Sequence, residues 1–559
     1  MSLQFIFGNS GSGKSHYLYQ QIVEESIRHP EKNYLVLVPE QFTMQTQKDL
    51  CMAHPRGGIM NIDVLSFGRL AHRVFEETGK ERQPILDDEG KNLVLRKIAG
   101  NYEDELTVLK GNLKKQGYIS EVKSVISEFT QYGIDFEQLD SFMEGLNPES
   151  YLYYKLKDIR KVYEGFEDYL RDKYITKEEL LDVLSQTVPE AKMLKDSVIA
   201  MDGFTGFTPV QNRLIGELLK VCDKIMLTVE IDRREDPFVY KHPYQLFALS
   251  KQMVTSLTEV AQEVRVEIDE PVWLCKNPSY RFKENPEMAF LEEELFRYSR
   301  RKYSGEKMRS ISLHEVHTPQ EEAQYVAEEI RRLVREEGYR YREIAVIASD
   351  LSTYADALEK ACDRYEIPVF MDHKKSILLN SFVEYLRSLL VMVEQNYTYE
   401  SVFRYLRTSL CGFTRDEVDR LENYCLALDL KGFKKWDQVW VRKTPMTTKE
   451  ELEELNHLRM RFVEKLTPLH TVLKKRKKTV KEITLAVYEY LVQEKIQEQL
   501  AELEQKFQED GELALAKEYA QIYRIVLELF DKFVELLGEE EIPLKEYCEL
   551  LDAGLEEAK

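Results

Sequence analysis

The chain opens on an unbroken apolar run. Leu3-Gln4-Phe5-Ile6-Phe7 reads as a strand buried on both faces, because a strand with one wet face would alternate. Ser15 to about Ile27 carries helical spacing, and Tyr34-Leu35-Val36-Leu37-Val38 is the next strand, closed by Pro39. A helix is expected from Thr43. The short strand Ile62-Asp63-Val64-Leu65 then leads into a helical pattern from Phe67 to Phe75. Strands alternating with helices predict an α/β fold with a parallel, helix-covered sheet. From about 84 to 190 the apolar positions fall at helical spacing, as in Val94, Leu95 and Ile98 and again in Val122, Val125, Ile126 and Phe129. That stretch predicts a helical insertion far longer than an ordinary loop. Strand patterns return at Val198-Ile199-Ala200-Met201 and over Lys224 to Val229.

A second α/β pattern begins near 308. Ser310 to Val316, Ile344 to Ala348 and Ile367-Pro368-Val369-Phe370 read as strands, with helices over Pro319 to Glu337 and Tyr354 to Tyr365. From about 380 onward the pattern is almost wholly helical. Tyr547 to Lys559 carries no stop signal, so the chain is expected to continue beyond it.

Length and composition sharpen this picture. At 559 residues the chain requires several domains, and 43% hydrophobic residues supply their cores. No apolar run reaches the ~18 residues of a membrane helix. The N-terminus enters a strand directly, without a signal-peptide pattern, so a cytoplasmic protein with no membrane partner is expected. Seven cysteines lie far apart without metal-ligand spacing and read as core thiols. A net charge of −21 argues against nucleic acid wrapping the whole surface, while leaving room for a local basic channel.

The first strand runs into Gly8-Asn9-Ser10-Gly11-Ser12-Gly13-Lys14-Ser15. Such a loop needs its glycines so that backbone N–H groups can close around phosphates. Lys14 would reach the outer phosphates, and the Ser15 hydroxyl would hold Mg²⁺. The helix that follows adds its positive dipole end. ATP with Mg²⁺ is the expected ligand. Asp202, just after the Val198–Met201 strand, suits a second metal-holding carboxylate, with turn-capping as its alternative role.

The order of these pieces resembles a superfamily I helicase of the UvrD type. Val64-Leu65-Ser66-Phe67-Gly68-Arg69-Leu70-Ala71 falls in the expected place, and Asp202 to Gln211 keeps the spacing of that family's acidic motif and downstream glutamine. A narrower resemblance rests on Leu37-Val38-Pro39-Glu40-Gln41, Met201-Asp202-Gly203-Phe204 with Phe207-Thr208-Pro209, Gly338-Tyr339-Arg340-Tyr341, and Leu421-Glu422-Asn423-Tyr424-Cys425 with Lys431-Gly432. These look like the AddB (RexB) family, one half of the bacterial ATP-dependent helicase/nuclease AddAB (RexAB).

The resemblance implies P-loop, helicase-like (RecA-like) parallel-sheet domains carrying large all-α insertions. Residues 1–83 and 191–300 would form the first RecA-like domain, 84–190 a helical insertion, 308–395 the start of the second, and 396–559 another helical insertion. Gly8 to Ser15, Asp202 and Gln211 would hold the nucleotide, with Ser15 and Asp202 at the metal. Phe42, Thr43, Ser66, Phe67 and Arg69 would line a single-strand groove. The implied protein pairs with an AddA-type helicase–nuclease in a heterodimer, acts on single- and double-stranded DNA at double-strand breaks, and recognises Chi to prepare homologous recombination. The family's 5′–3′ exonuclease and its 4Fe–4S cluster would lie in a further C-terminal region.

Departures from the helicase pattern point to a degenerate motor. Gly203 stands where a catalytic carboxylate is expected. No Gly-Asp-x-x-Gln motif follows Lys224 to Asp232, and Ser349 stands where active helicases carry a phosphate-contacting arginine. ATP binding with little hydrolysis is the expectation. An autonomous UvrD-like helicase and a P-loop scaffold remain the alternatives. Phe42, Phe67, Phe204 and Phe207 could stack on bases or fill the core. Lys474-Lys475-Arg476-Lys477-Lys478 reads as a solvated helix end, and His314 and His317 would face opposite sides of a strand.

Overall fold

The computed structural model describes residues 1–79, 84–111, 116–171, 173–305, 308–371, 376–444 and 447–558. Two compact units divide the chain: residues 1–87, 107–109 and 121–315 form the first, and 88–106, 110–120 and 316–559 the second. The stretch 84–190 contributes to both.

The first unit is built on a seven-stranded parallel sheet. Its strands are β1 (Ser2–Gly8), β2 (Tyr34–Leu37), β3 (Ile62–Leu65), β4 (Val198–Met201), β5 (Lys224–Glu230), β6 (Glu267–Ile268) and β7 (Val272–Trp273). The order is β3-β2-β4-β5-β1-β6, and β7 also pairs with β1. Both faces are covered, which explains the unbroken apolar runs. Leu3, Phe5, Phe7, Leu35, Leu37, Ile199, Met201, Leu227 and Val229 point to one side. There they pack with helices α3 (Phe67–Thr78), α4 (Pro209–Leu219) and α5 (Ala248–Glu263). Ile6, Val36, Val38, Val198, Ala200 and Met226 point to the other side, against α1 (Lys14–Arg28) and Leu50 of α2 (Thr43–Ala53). Each fully buried large side chain contributes about 1.5–3 kcal/mol.

The chain leaves β1 toward β2 on one side and later returns from β5 toward β6 on the other. The sheet therefore has its switch point at the carboxyl end of β1, where doubly wound sheets place their ligand crevice.

Between β3 and β4 the chain makes a largely helical excursion. Its ends are brought together by a two-stranded parallel pair, Ile85–Leu86 with Ile175–Thr176. Within the excursion, Asp158 on the helix Tyr151–Leu170 is buried and accepts the backbone N–H groups of Thr107, Val108 and Leu109 at 2.7–3.0 Å. One carboxylate thus satisfies three donors that would otherwise be orphaned.

In the second unit the helices Pro319–Glu336 and Leu351–Arg364 pack through Ala323, Ala327, Ile330, Leu358, Ala361 and Cys362. The strands expected at 310–316, 344–348 and 367–370 do not form: all three segments carry no ladder pairing. The physical reason is that strand propensity needs a second backbone to satisfy its N–H and C=O groups. Here no described residue supplies one, and Leu313, Ile347 and Phe370 stay exposed. From 381 onward the unit is helical, around a buried hydroxyl chain in which Tyr405 bonds both Tyr385 and Tyr490. No described helix is long and apolar enough to cross a membrane.

Asp158→Asn presents an amide N–H₂ to groups that are themselves donors. It is expected to cost about 2–3 kcal/mol, read as a lower urea midpoint for the first unit with an unchanged slope.

Candidate functional site

The loop after β1 is shaped by its glycines. Gly11 adopts a positive φ of 72°, and a Cβ there would lie 2.7 Å from Cβ of Arg281. The backbone N–H of Arg281 donates to the Gly11 carbonyl at 3.0 Å, so the turn Tyr280–Phe282 closes directly over the loop. Helix α1 begins at Lys14 behind left-handed Gly13, with no side-chain cap and no acidic residue in its first turn. Its first N–H groups are therefore free for an anion.

The ammonium of Lys14 donates to the Asn9 carbonyl at 3.1 Å. Burial lowers the Lys14 pKa, opposed by the carboxylates of Glu230 and Asp202. Asn9 uses its amide N–H₂ on the Lys276 carbonyl and on Glu292 at 3.1 Å, and burial raises the Glu292 pKa. Three buried polar atoms around the loop, Asn9 Oδ1, Ser12 Oγ and Ser279 Oγ, have no hydrogen-bond partner. Unsatisfied buried groups are costly unless a ligand completes them. Together with the uncapped helix start, they fit a phosphate chain bound here.

An open cleft of about 700 Å³ lies beside the loop. Ser10, Gly11, Gly13, Lys14 and Ser15 line it with Tyr19, Asp49, Asp202, Gly203, Thr228, Glu230 and Arg281. Asp202 is only 7% exposed. Its two carboxylate oxygens accept the Tyr19 hydroxyl at 2.7 Å and the Thr228 hydroxyl at 2.5 Å. Burial and then the Asp202 carboxylate raise the Tyr19 pKa, which keeps that phenol a donor. Gly203 has a φ of 77°, a conformation that a glutamate would adopt only with strain. The carboxylate absent at 203 is therefore excluded by backbone geometry as well as by sequence. Gln211 is not among the cleft residues. Its side chain accepts the Thr208 N–H and completes a capping box at the start of α4.

The loops after β2 and β3 place the groove candidates unevenly. Phe42 is 47% exposed, on the turn Glu40–Phe42, with its ring 3.6 Å from where a Cβ on Gly203 would stand. Arg69 is half exposed and pairs with Glu40 at 3.4 Å. Thr43 is buried and bonds the Glu40 carbonyl, while buried Ser66 caps α3 by accepting the Arg69 N–H. Phe67 is 8% exposed and packs its ring against Phe204 and Phe207 at 5.5 and 6.2 Å. Phe42 and Arg69 are thus available to a ligand, whereas Thr43, Ser66 and Phe67 hold the loops in shape.

Sequence reasoning missed Tyr19, Thr228, Glu230, Ser279, Arg281 and Glu292. Position Glu230 is the one with a readable signal, as the polar end of an apolar strand. Ser349 lies in the second unit, while an arginine of the first unit, Arg281, lines the cleft. Among the described residues no group of three His, Cys, Asp or Glu side chains could hold a metal ion, and all seven cysteines are free.

Fold and cleft define a helicase-like P-loop α/β protein. The family model described as ADDB, N-terminal, matches residues 5–292, and that of the UvrD-like helicase C-terminal domain matches 282–554. The chain is 41% identical to the AddB-type subunit of the ATP-dependent helicase/deoxyribonuclease of Lachnoclostridium phytofermentans, over 100% of this chain and 49% of that protein. It is 32% identical to the proteins of the same name from Clostridium novyi and Acetivibrio thermocellus, over 100% of this chain and 48% and 49% of theirs. The chain belongs to this AddB family of ATP-dependent helicase/deoxyribonuclease subunits. It spans about half the length of the curated relatives it matches.

Phe67→Ala is expected to lower stability by about 3–5 kcal/mol while leaving affinity for single-stranded DNA unchanged. Phe42→Ala is expected to leave the melting temperature nearly unchanged and to weaken single-strand binding by about 1–3 kcal/mol. Thermal melts and oligonucleotide anisotropy on the same two variants check both.

Proposed function

We propose that this chain is the helicase-like, nucleotide-binding part of an AddAB-type helicase–nuclease, binding ATP at the cleft and single-stranded DNA at the neighbouring loops without acting as a motor by itself. The observation that carries the reading is the cleft itself: an intact P-loop with Lys14 and Ser15 and a buried Asp202, beside a Gly203 that cannot supply a catalytic carboxylate. Bound Mg–ATP would bring a cleavable phosphoanhydride. Lys14 would exchange its Asn9 bond for a phosphate oxygen, and the first N–H groups of α1 would neutralise charge. Ser15 and Asp202 would hold the metal, Asp202 through water because its oxygens already accept two hydroxyls.

The wider role follows from family membership. The relatives' names speak of a subunit, of a helicase and of a deoxyribonuclease. On that basis the partner is an AddA-type helicase–nuclease, the substrate is DNA at double-strand breaks in the cytoplasm, and the purpose is Chi-regulated resection for homologous recombination. Exonuclease activity and a 4Fe–4S cluster would belong to the further half that the relatives possess. Exposed Phe42 and Arg69 support a single-strand contact, formed where parallel strands open their carboxyl ends.

The test is nucleotide binding by the purified chain. Mg–ATP is expected to bind, hydrolysis to be far slower than in a working helicase, and Lys14→Ala to abolish binding while the melt of the free protein is preserved. Turnover at ordinary helicase rates would refute the degenerate-motor reading. Single-strand affinity should fall with salt at a slope near ~0.7 per phosphate contact, and the chain should degrade no DNA.

A further inference from the structure

We infer that Glu230 is the carboxylate that activates water in this cleft, supplied from the strand beside the P-loop in place of the one that Gly203 excludes. The assignment rests on reading the cleft as a nucleoside triphosphate site. Glu230 ends β5 in parallel register with Gly8, and the Ile231 N–H donates to the Gly8 carbonyl at 3.0 Å. The first residue of the phosphate loop and Glu230 are thus fixed side by side on adjacent strands, and both Glu230 and Lys14 line the cleft.

The other carboxylates that line the cleft are already engaged. Asp202 accepts the Tyr19 and Thr228 hydroxyls, and Asp49 accepts the Gln45 amide at 2.7 Å. Glu292, behind the loop, accepts the Asn9 amide. Glu230 is exposed to the cleft and has no hydrogen-bond or ion-pair partner among the described residues. A free carboxylate beside the lysine that holds the outer phosphates is placed to accept a proton from water.

In the step, the water oxygen bonds to the γ-phosphorus as the bond from that phosphorus to the β–γ bridging oxygen breaks. Glu230 takes the proton released by water. ADP leaves with the bridging oxygen, and inorganic phosphate leaves with the water oxygen. Before that step the same carboxylate faces the negative γ-phosphate, so it disfavours a triphosphate relative to a diphosphate. Glu230 thereby makes hydrolysis available but slow.

The experiment compares the full chain with Glu230→Gln and Lys14→Ala. Calorimetry measures affinity for Mg–ADP and for a non-hydrolysable Mg–ATP analogue, and single-turnover phosphate release measures hydrolysis. Glu230→Gln is expected to shift the analogue-to-diphosphate affinity ratio about tenfold toward the analogue. It should also slow phosphate release at least about tenfold, with Glu230→Asp restoring part of the rate. Phosphate release that is unchanged in Glu230→Gln, or an unshifted affinity ratio, would overturn the assignment. So would binding with no Lys14-dependent hydrolysis in the unsubstituted chain. If neither nucleotide binds, the triphosphate-site reading fails with it, which separates the two failures.

Discussion

The parallel pairing of β1 with β5 is the constraint on which the cleft depends. Seven residues of β1, from Ser2 to Gly8, run in register with Lys224 to Glu230. That ladder fixes where the phosphate loop leaves the sheet, and it sets Thr228 and Glu230 at the loop's side. Because β5 also pairs with β4, the Asp202 carboxylate emerges one strand further on and meets the Thr228 hydroxyl. No single side chain could arrange this. The backbone register does, and the helices on both faces hold it dry.

Asp202 serves the fold as much as any ligand. Its bonds to Tyr19 of α1 and Thr228 of β5 tie the first helix to two strands, and Tyr19 extends the chain to Thr46 of α2 at 3.3 Å. Buried polar networks of this kind are favourable only when every member is satisfied. The cost of leaving the carboxylate unpaired explains why it lies so deep beside an otherwise open cleft. The turn holding Arg281 has a comparable double role, since it touches the loop through backbone atoms and presents its side chain to the cleft.

Much of the first unit was legible in the sequence because its signals are local. Continuous apolar runs marked β1, β2, β4 and β5, and glycine spacing marked the turn into α1. The roles of Phe67, Ser66 and Thr43 were not legible, because the family pattern gives a loop's place in the sheet but not which of its side chains turn inward. Phe67 is claimed by Phe204 and Phe207, which lie far away along the chain. Arg281 and Glu292 reach the loop from segments some 270 residues downstream of it, too distant for any spacing rule. The strand-like segments of the second unit carry real β propensity, yet propensity without a partner backbone leaves Ile347 and Leu313 exposed.

The central claim is that the loop from Gly8 to Ser15 receives a triphosphate and that Lys14 changes partner to do so. A crystal structure of this chain with Mg²⁺ and a non-hydrolysable ATP analogue tests that most directly. The predicted result has the phosphates over the start of α1, Lys14 released from the Asn9 carbonyl onto a phosphate oxygen, and Asp202 still held by Tyr19 and Thr228. A nucleotide bound elsewhere, with Lys14 still on Asn9, would contradict the account.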